Sequence, residues 1–325
     1  SDESGAVAVH MASGASVSSF ENNVLDTERL SVNAALPAFS ELLQTSNTYE
    51  APVRVRSGAT NGADMVWTRP LASDSSPQAI EAANSLNIAG GSLSIAAGNR
   101  IEMPLNTQFT TTDAQLLVDG TAGDPVVFEP ASGVAYWQGL RLRGAGAQGV
   151  SRLTSVVLRD AGSDPALGAS TQRAALIAEA RNGVPATPSI TDTSIVDSNG
   201  YGMVFNDTTH CGGMCDGNTI SGARFSALRM HANFVGRFGA GNVLAGNNTS
   251  GTPGHDGVWV MGDQVDQSAT WPALDVPYLV QGNIELRRSY PLDPLPVLSI
   301  EPGAELRFAE DRRLRVGEGN DGVLD

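Results

Sequence analysis

The chain has 325 residues, 41% of them hydrophobic and only 6% aromatic, with 36 Gly, which is enough for a core built mainly from small aliphatic side chains. Thirty-five acidic residues against twenty basic ones leave a formal net charge of -15, a field that repels phosphate backbones and anionic lipid and excludes nucleic acid as a partner. Every basic residue is Arg, so no lysine can serve as general base, Schiff-base partner or phosphate ligand, and no apolar run is long enough to span a bilayer.

The first residues, Ser1-Asp2-Glu3-Ser4-Gly5, carry neither the basic start nor the apolar stretch of a secretory signal. A strand over residues 7–10 follows at once, so the expectation is a chain that opens inside a stack of repeats and forms part of a longer one. Residues 37–45 and 77–83 are the two places where a short helix is expected. Elsewhere short segments alternate apolar and polar positions, as half-buried strands do. Val53-Arg54-Val55 and Leu93-Ser94-Ile95 are of this kind, with Gly, Asn, Asp and Ser supplying turns between such segments.

The period is clearest further on. Thr193-Ser194-Ile195, Asn218-Thr219-Ile220 and Asn242-Val243-Leu244 follow one another at 24 or 25 residues, and Met203 with Phe205 is echoed by Leu228 with Met230. A longer repeat overlies the short one. Residues 6–130 return, in order, over residues 227–325: His10 as His231, Asn23 as Asn242, Val53-Arg54-Val55 as Val258-Trp259-Val260, Trp67 as Trp271, and Leu93-Ser94-Ile95 as Leu298-Ser299-Ile300. Strands of fixed spacing without mirror-image hairpins describe coils that stack in parallel and share one core. At about 24 residues per coil and roughly 4.8 Å between strands, the chain would make some thirteen coils over about 60 Å. A β-sandwich is the structural alternative, but it gives no reason for that spacing.

The phrases Leu93-Ser94-Ile95-Ala96-Ala97-Gly98, Leu116-Leu117-Val118-Asp119-Gly120-Thr121, Asp124-Pro125-Val126-Val127-Phe128 and Trp137-Gln138-Gly139-Leu140-Arg141-Leu142 resemble the recurring unit of secreted bacterial right-handed parallel β-helix proteins of the pectin-lyase-like superfold. The resemblance implies an all-β solenoid with loop insertions and an extracellular or cell-surface location. It leaves function open, because that superfold carries lyases, hydrolases and adhesins alike.

Few residues point to chemistry. Cys211 and Cys215, the only cysteines, lie in His210-Cys211-Gly212-Gly213-Met214-Cys215-Asp216, where two glycines let a short loop close into a disulfide. A zinc site using His210 and Asp216, or free thiols, are the alternatives. The paired-aspartate and Gly-His-Gly phrases of polygalacturonase-like enzymes are missing. Arg69 and the Arg141/Arg143 pair are the nominees for a lyase-type base, with ion pairing along a coil face as the plainer role. His10 and His231 match in the long repeat, which favours a shared structural role at a coil corner. Asp119-Gly120 and Asn320-Asp321-Gly322 could hold structural calcium or be ordinary turns, and Asn206 and Asn248 head glycosylation sequons.

No catalytic residues, resident metal or cofactor are therefore assigned. The expected function is a non-catalytic structural, adhesive or assembly element, its partners further copies end to end or more of its own polypeptide. The alternative is a carbohydrate-active or glycan-binding β-helix. Its groove would be flanked by insertions at residues 27–50 and 264–277, with Trp67, Trp137, Trp259 or Trp271 stacking on sugars.

Overall fold

The computed structural model describes residues 21–25, 30–32, 36–43, 46–57, 60, 62–144, 149–162, 173–213, 215–290, 293–317 and 323–324. The expected strand at residues 7–10, with His10, lies outside them, as does the turn Asn320-Asp321-Gly322.

The chain is predominantly β, and every strand ladder among the described residues is parallel. Strands of one circuit do not pair with each other; where consecutive strands do pair, as Leu228–His231 with Val258–Met261, they lie in the same nine-stranded sheet. Leu86–Ala89, Ser92–Ala96 and Arg100–Met103 enter a nine-stranded, a five-stranded and an eight-stranded sheet in turn. Gln108–Thr112, Gln115–Asp119 and Val126–Pro130 then add one strand to each of the same three sheets. A chain visiting three sheets in rotation and pairing only with its next circuit is compatible with a parallel β-helix. Past His231 the nine-stranded sheet continues, while two three-stranded sheets take over the other two sides.

Alternation sorts the side chains. One core column of the nine-stranded sheet reads Leu86, Phe109, Leu140, Leu176, Met203, Leu228, Val258 and Tyr278, each opposite the next in register and each buried. An aromatic file runs beside it, Phe39, Trp67, Phe109, Phe128 and Trp137, with ring centroids 5.3, 6.2, 5.5 and 6.3 Å apart in sequence. Such contacts add to area burial and lock the coils in register.

The short period falls where expected, since Ile195 lies opposite Ile220 and Thr219 bridges to Val243. Polar columns complete it. Asn242 Oδ1 accepts from the backbone and side-chain N–H groups of Asn218, both at 2.9 Å, and its own amide donates to Cys215 O and Gly239 O. At one corner Asp160, Asp197, Gly222 and Gly246 all have positive φ, and the first three each donate their N–H to a carbonyl of the next coil. Asp, Asn and Gly recur there because they tolerate the left-handed conformation a sharp corner needs.

The two expected helices part ways. Leu36–Leu43 is helical; its Phe39 packs on Trp67, and Ser40 bonds Val66 at the outer strand of the five-stranded sheet. Residues 77–83 instead carry the strand Ile80–Ala82, whose buried, half-buried, buried pattern has the strand period and pairs with Val53–Val55. Ladder bonds on both sides outweigh the helical leaning of the Ala-rich run. Residues 264–277 are not a free insertion either: Ala269–Trp271 lies within them as a strand, and Trp271 is fully buried.

In the long repeat, Trp67 lies opposite Ile95 and Trp271 opposite Ile300. Val53–Val55 and Val258–Met261, by contrast, sit in different sheets.

Candidate functional site

The outward side of the nine-stranded sheet is where the chain gathers unusual side chains. Because core residues occupy alternate positions, the intervening column faces away from the core: Asn87, Thr110, Arg141, Ile177, Val204, Arg229, Trp259, Leu279 and Arg307. A strand exposed on one side would carry polar residues throughout this column. Here its middle is apolar. Ala174, Ile177, Tyr201, Val204 and Phe225 form a second buried cluster separate from the main core, with half-buried Trp259 packed on it.

His255 closes this cluster. Its ring stacks on Trp259 at 4.4 Å and lies 5.2 Å from Phe225 and 5.7 Å from Tyr201. Ser226 Oγ donates to the His255 carbonyl at 2.9 Å and fixes the loop. Burial pushes the imidazole below its ordinary range and the Tyr201 phenol above its own.

Arg229 lies between Val204 and Trp259. Its Nη1 donates to Asn206 Oδ1 at 3.1 Å, and among the described residues no carboxylate comes within 4.0 Å of it. Burial lowers the guanidinium pKa, with Tyr201 opposing the shift. Other arginines on this face are compensated, Arg141 and Arg143 both reaching Glu179 at 3.2 and 3.0 Å, and the His231 ring lies 3.4 Å from Asp263.

The remaining sequence candidates are scattered. Arg69 pairs with Asp124 at 3.0 Å, so it and the Arg141/Arg143 pair stand as ion-paired face residues. Asp119, expected in a calcium turn, gives both oxygens to Arg152 at 2.9 and 2.8 Å. Trp67, Trp137 and Trp271 are core residues with no exposure, which removes them as sugar platforms and leaves Trp259. The sequon side chains are engaged, Asn206 by Arg229 and Asn248 through a bond to Thr252 O.

Cys211 and Cys215 are buried, with Cα atoms 5.9 Å apart and sulfurs at disulfide distance. His210 turns to its neighbour's carbonyl, and its ring lies tilted against Phe234 at 4.5 Å. Among the described residues no three His, Cys, Asp or Glu side chains converge.

A cleft of about 630 Å³ opens at the Asp160/Asp197 corner, lined also by Tyr136, Asn199 and Arg224. Burial, then the Asp197 charge, raises the Asp160 pKa. The corner itself explains this pair, since both residues occupy its left-handed turn.

At the far end, the core columns come into the open. Leu306 and Phe308 lie opposite buried Tyr278 and Val280, and Leu314 and Val316 opposite buried Ile284 and Leu286. Yet Phe308 is 40% and Val316 42% exposed. Among the described residues Leu306–Phe308, Leu314–Val316 and Val323–Leu324 are each the outermost strand of their sheet.

No family model, curated protein or solved structure matches the chain. Class is accordingly defined by the fold alone: a predominantly β protein of parallel sheets. Among the described residues no helix is long and apolar enough to cross a membrane.

Nothing in the sequence pattern singles out Phe225 or Arg229 as functional, and His255 stands in a loop segment without a motif. One signal was available: Tyr201 and Phe225 stand 24 residues apart, one coil, and so mark a single aromatic file.

Proposed function

We propose that this chain is a right-handed parallel β-helix that acts outside the cell or at its surface as a rigid structural, adhesive or assembly element. The observation that supports the reading is the last described coil, where core-register Leu306, Phe308, Leu314 and Val316 meet three strand edges that no other described strand pairs. Exposed edges above an exposed core are complementary to another coil of the same kind, so the partner is a further copy stacked end to end or more of the same polypeptide. The paired cysteines fit an oxidising compartment.

Sedimentation velocity over a concentration series tests this. The expected result is concentration-dependent association that Phe308→Glu and Val316→Glu abolish while circular dichroism stays unchanged. A monomer at all concentrations, or association indifferent to both substitutions, would reject it.

A second reading, a carbohydrate-binding β-helix, is favoured by one observation: Trp259 is half-buried on the outward face, beside Arg229 and stacked on His255. A neutral and acidic oligosaccharide panel that gives no binding would remove it.

A further inference from the structure

We infer that Asn182 is a site of spontaneous covalent modification, losing its side-chain amide to water through a cyclic imide formed with Gly183. The inference stands apart from both functional readings, since it uses neither the end coil nor the outward face.

Asn182 and Gly183 are the tip of a tight turn that follows the strand Ala174–Glu179. Arg181 and Val184 exchange both backbone bonds across it, at 2.8 and 2.9 Å, and the tip residues have φ of 51° and 78°. Asn-Gly suits such a turn because both central positions are left-handed. The same dipeptide carries the chemistry. The Gly183 amide nitrogen attacks Cγ of Asn182 and gives up its proton, the bond from Cγ to the side-chain nitrogen breaks, and ammonia leaves. Water then opens the imide ring at either carbonyl. One opening yields aspartate, and the other yields isoaspartate, in which the backbone runs through the former side chain.

Reaction requires that the attacking N–H and the amide be free of other bonds and that the chain can rotate to bring them together. Asn182 meets both conditions. Residues 182–184 are exposed. Among the described residues neither the Asn182 amide nor the Gly183 N–H has a hydrogen-bond partner, and beyond its chain neighbours nothing lies within 4 Å of where a Cβ on Gly183 would stand. Asn199-Gly200 is the same dipeptide in the opposite setting. Asn199 Oδ1 accepts from Arg224 at 3.2 Å, the Gly200 N–H donates to Ser198 Oγ at 3.3 Å, and a Cβ on the buried Gly200 would meet Arg173 O at 2.1 Å. The third pair, Asn61-Gly62, begins outside the described residues.

The two products differ in their fit. Aspartate suits the turn, as left-handed Asp160 and Asp197 show at other corners. Isoaspartate adds a backbone atom between residues whose ends are already bonded, so it breaks the Arg181–Val184 pairing. Either product places a new carboxylate beside Arg181, whose Nη1 lies 3.4 Å from Asp113.

The test holds the intact, native chain in mildly alkaline water enriched in heavy oxygen. Digestion with pepsin in acid stops the reaction, and fragment masses separate Asn182 from Asn199. Asn182 should take up heavy oxygen, and labelling by an isoaspartate methyltransferase should follow it. Asn199 should react roughly ten- to a hundredfold more slowly, the factor that breaking two hydrogen bonds beforehand gives. In denaturant the two should react alike, because only the fold distinguishes them. Asn182→Gln, whose longer side chain cannot close the same ring, should remove the fast step and leave Asn199 unchanged. Equal rates at Asn182 and Asn199 in the native chain would overturn the proposal, and so would an Asn182 that stays intact while the denatured chain reacts.

Discussion

Asn242 shows how much one polar side chain carries in a stack of coils. It is 3% exposed and makes four hydrogen bonds, two accepted from Asn218 and two donated to carbonyls of Cys215 and Gly239. Asn242→Ala leaves the buried Asn218 amide without its acceptor, so the unfolding free energy measured in denaturant should fall by about 3 kcal/mol. Asp160 works in the opposite sense. Burial and Asp197 raise its folded pKa above the ordinary 3.8. Its contribution to stability is therefore fully present only below that value and is lost as pH rises through the folded pKa. Asp160→Asn, which suits the left-handed turn, should raise the melting temperature at pH 7, and the gain should vanish by about pH 3. A gain that persists undiminished at low pH would refute the electrostatic account.

At the scale of elements, the Cys211/Cys215 loop is the smallest closed unit in the chain. With both sulfurs at disulfide distance, the native protein should take up no thiol label before reduction. A five-residue loop removes little denatured-state entropy, so Cys211→Ser with Cys215→Ser should cost at most about 2 kcal/mol from the cross-link itself.

Legibility also differed from element to element. The strands around Ile195 and Ile220 could be read because alternation and spacing agree there. The helix Leu36–Leu43 was legible to within two residues, while Ile80–Ala82 was not, because three residues of strand period lie inside an Ala-containing run. Burial of Trp271 within residues 264–277 was hidden for a related reason: a coil side as short as Ala269–Trp271 looks like a loop when its partner strand is 29 residues away, at Leu298. The outward site was the least legible. Which residues share a column depends on coil lengths between Tyr201, Arg229, His255 and Trp259, and these vary with insertions that have no periodic signature. The cysteine pair, four residues apart, needed only local geometry.

For the whole molecule, the decisive property is that each coil satisfies its backbone and its core only through the next. Parallel ladders leave nothing inside one coil to pair with, so the outermost strands carry the same chemistry as the interior ones. The net charge of -15 opposes indiscriminate clustering, so on the proposed reading association belongs at the apolar, edge-bearing end.

Negative-stain electron microscopy of the purified chain across a concentration series tests the central claim most directly. The account predicts slender rods that lengthen end to end as concentration rises, with Phe308→Glu and Val316→Glu holding them at single-rod length. Compact particles, or single rods at every concentration, would contradict it.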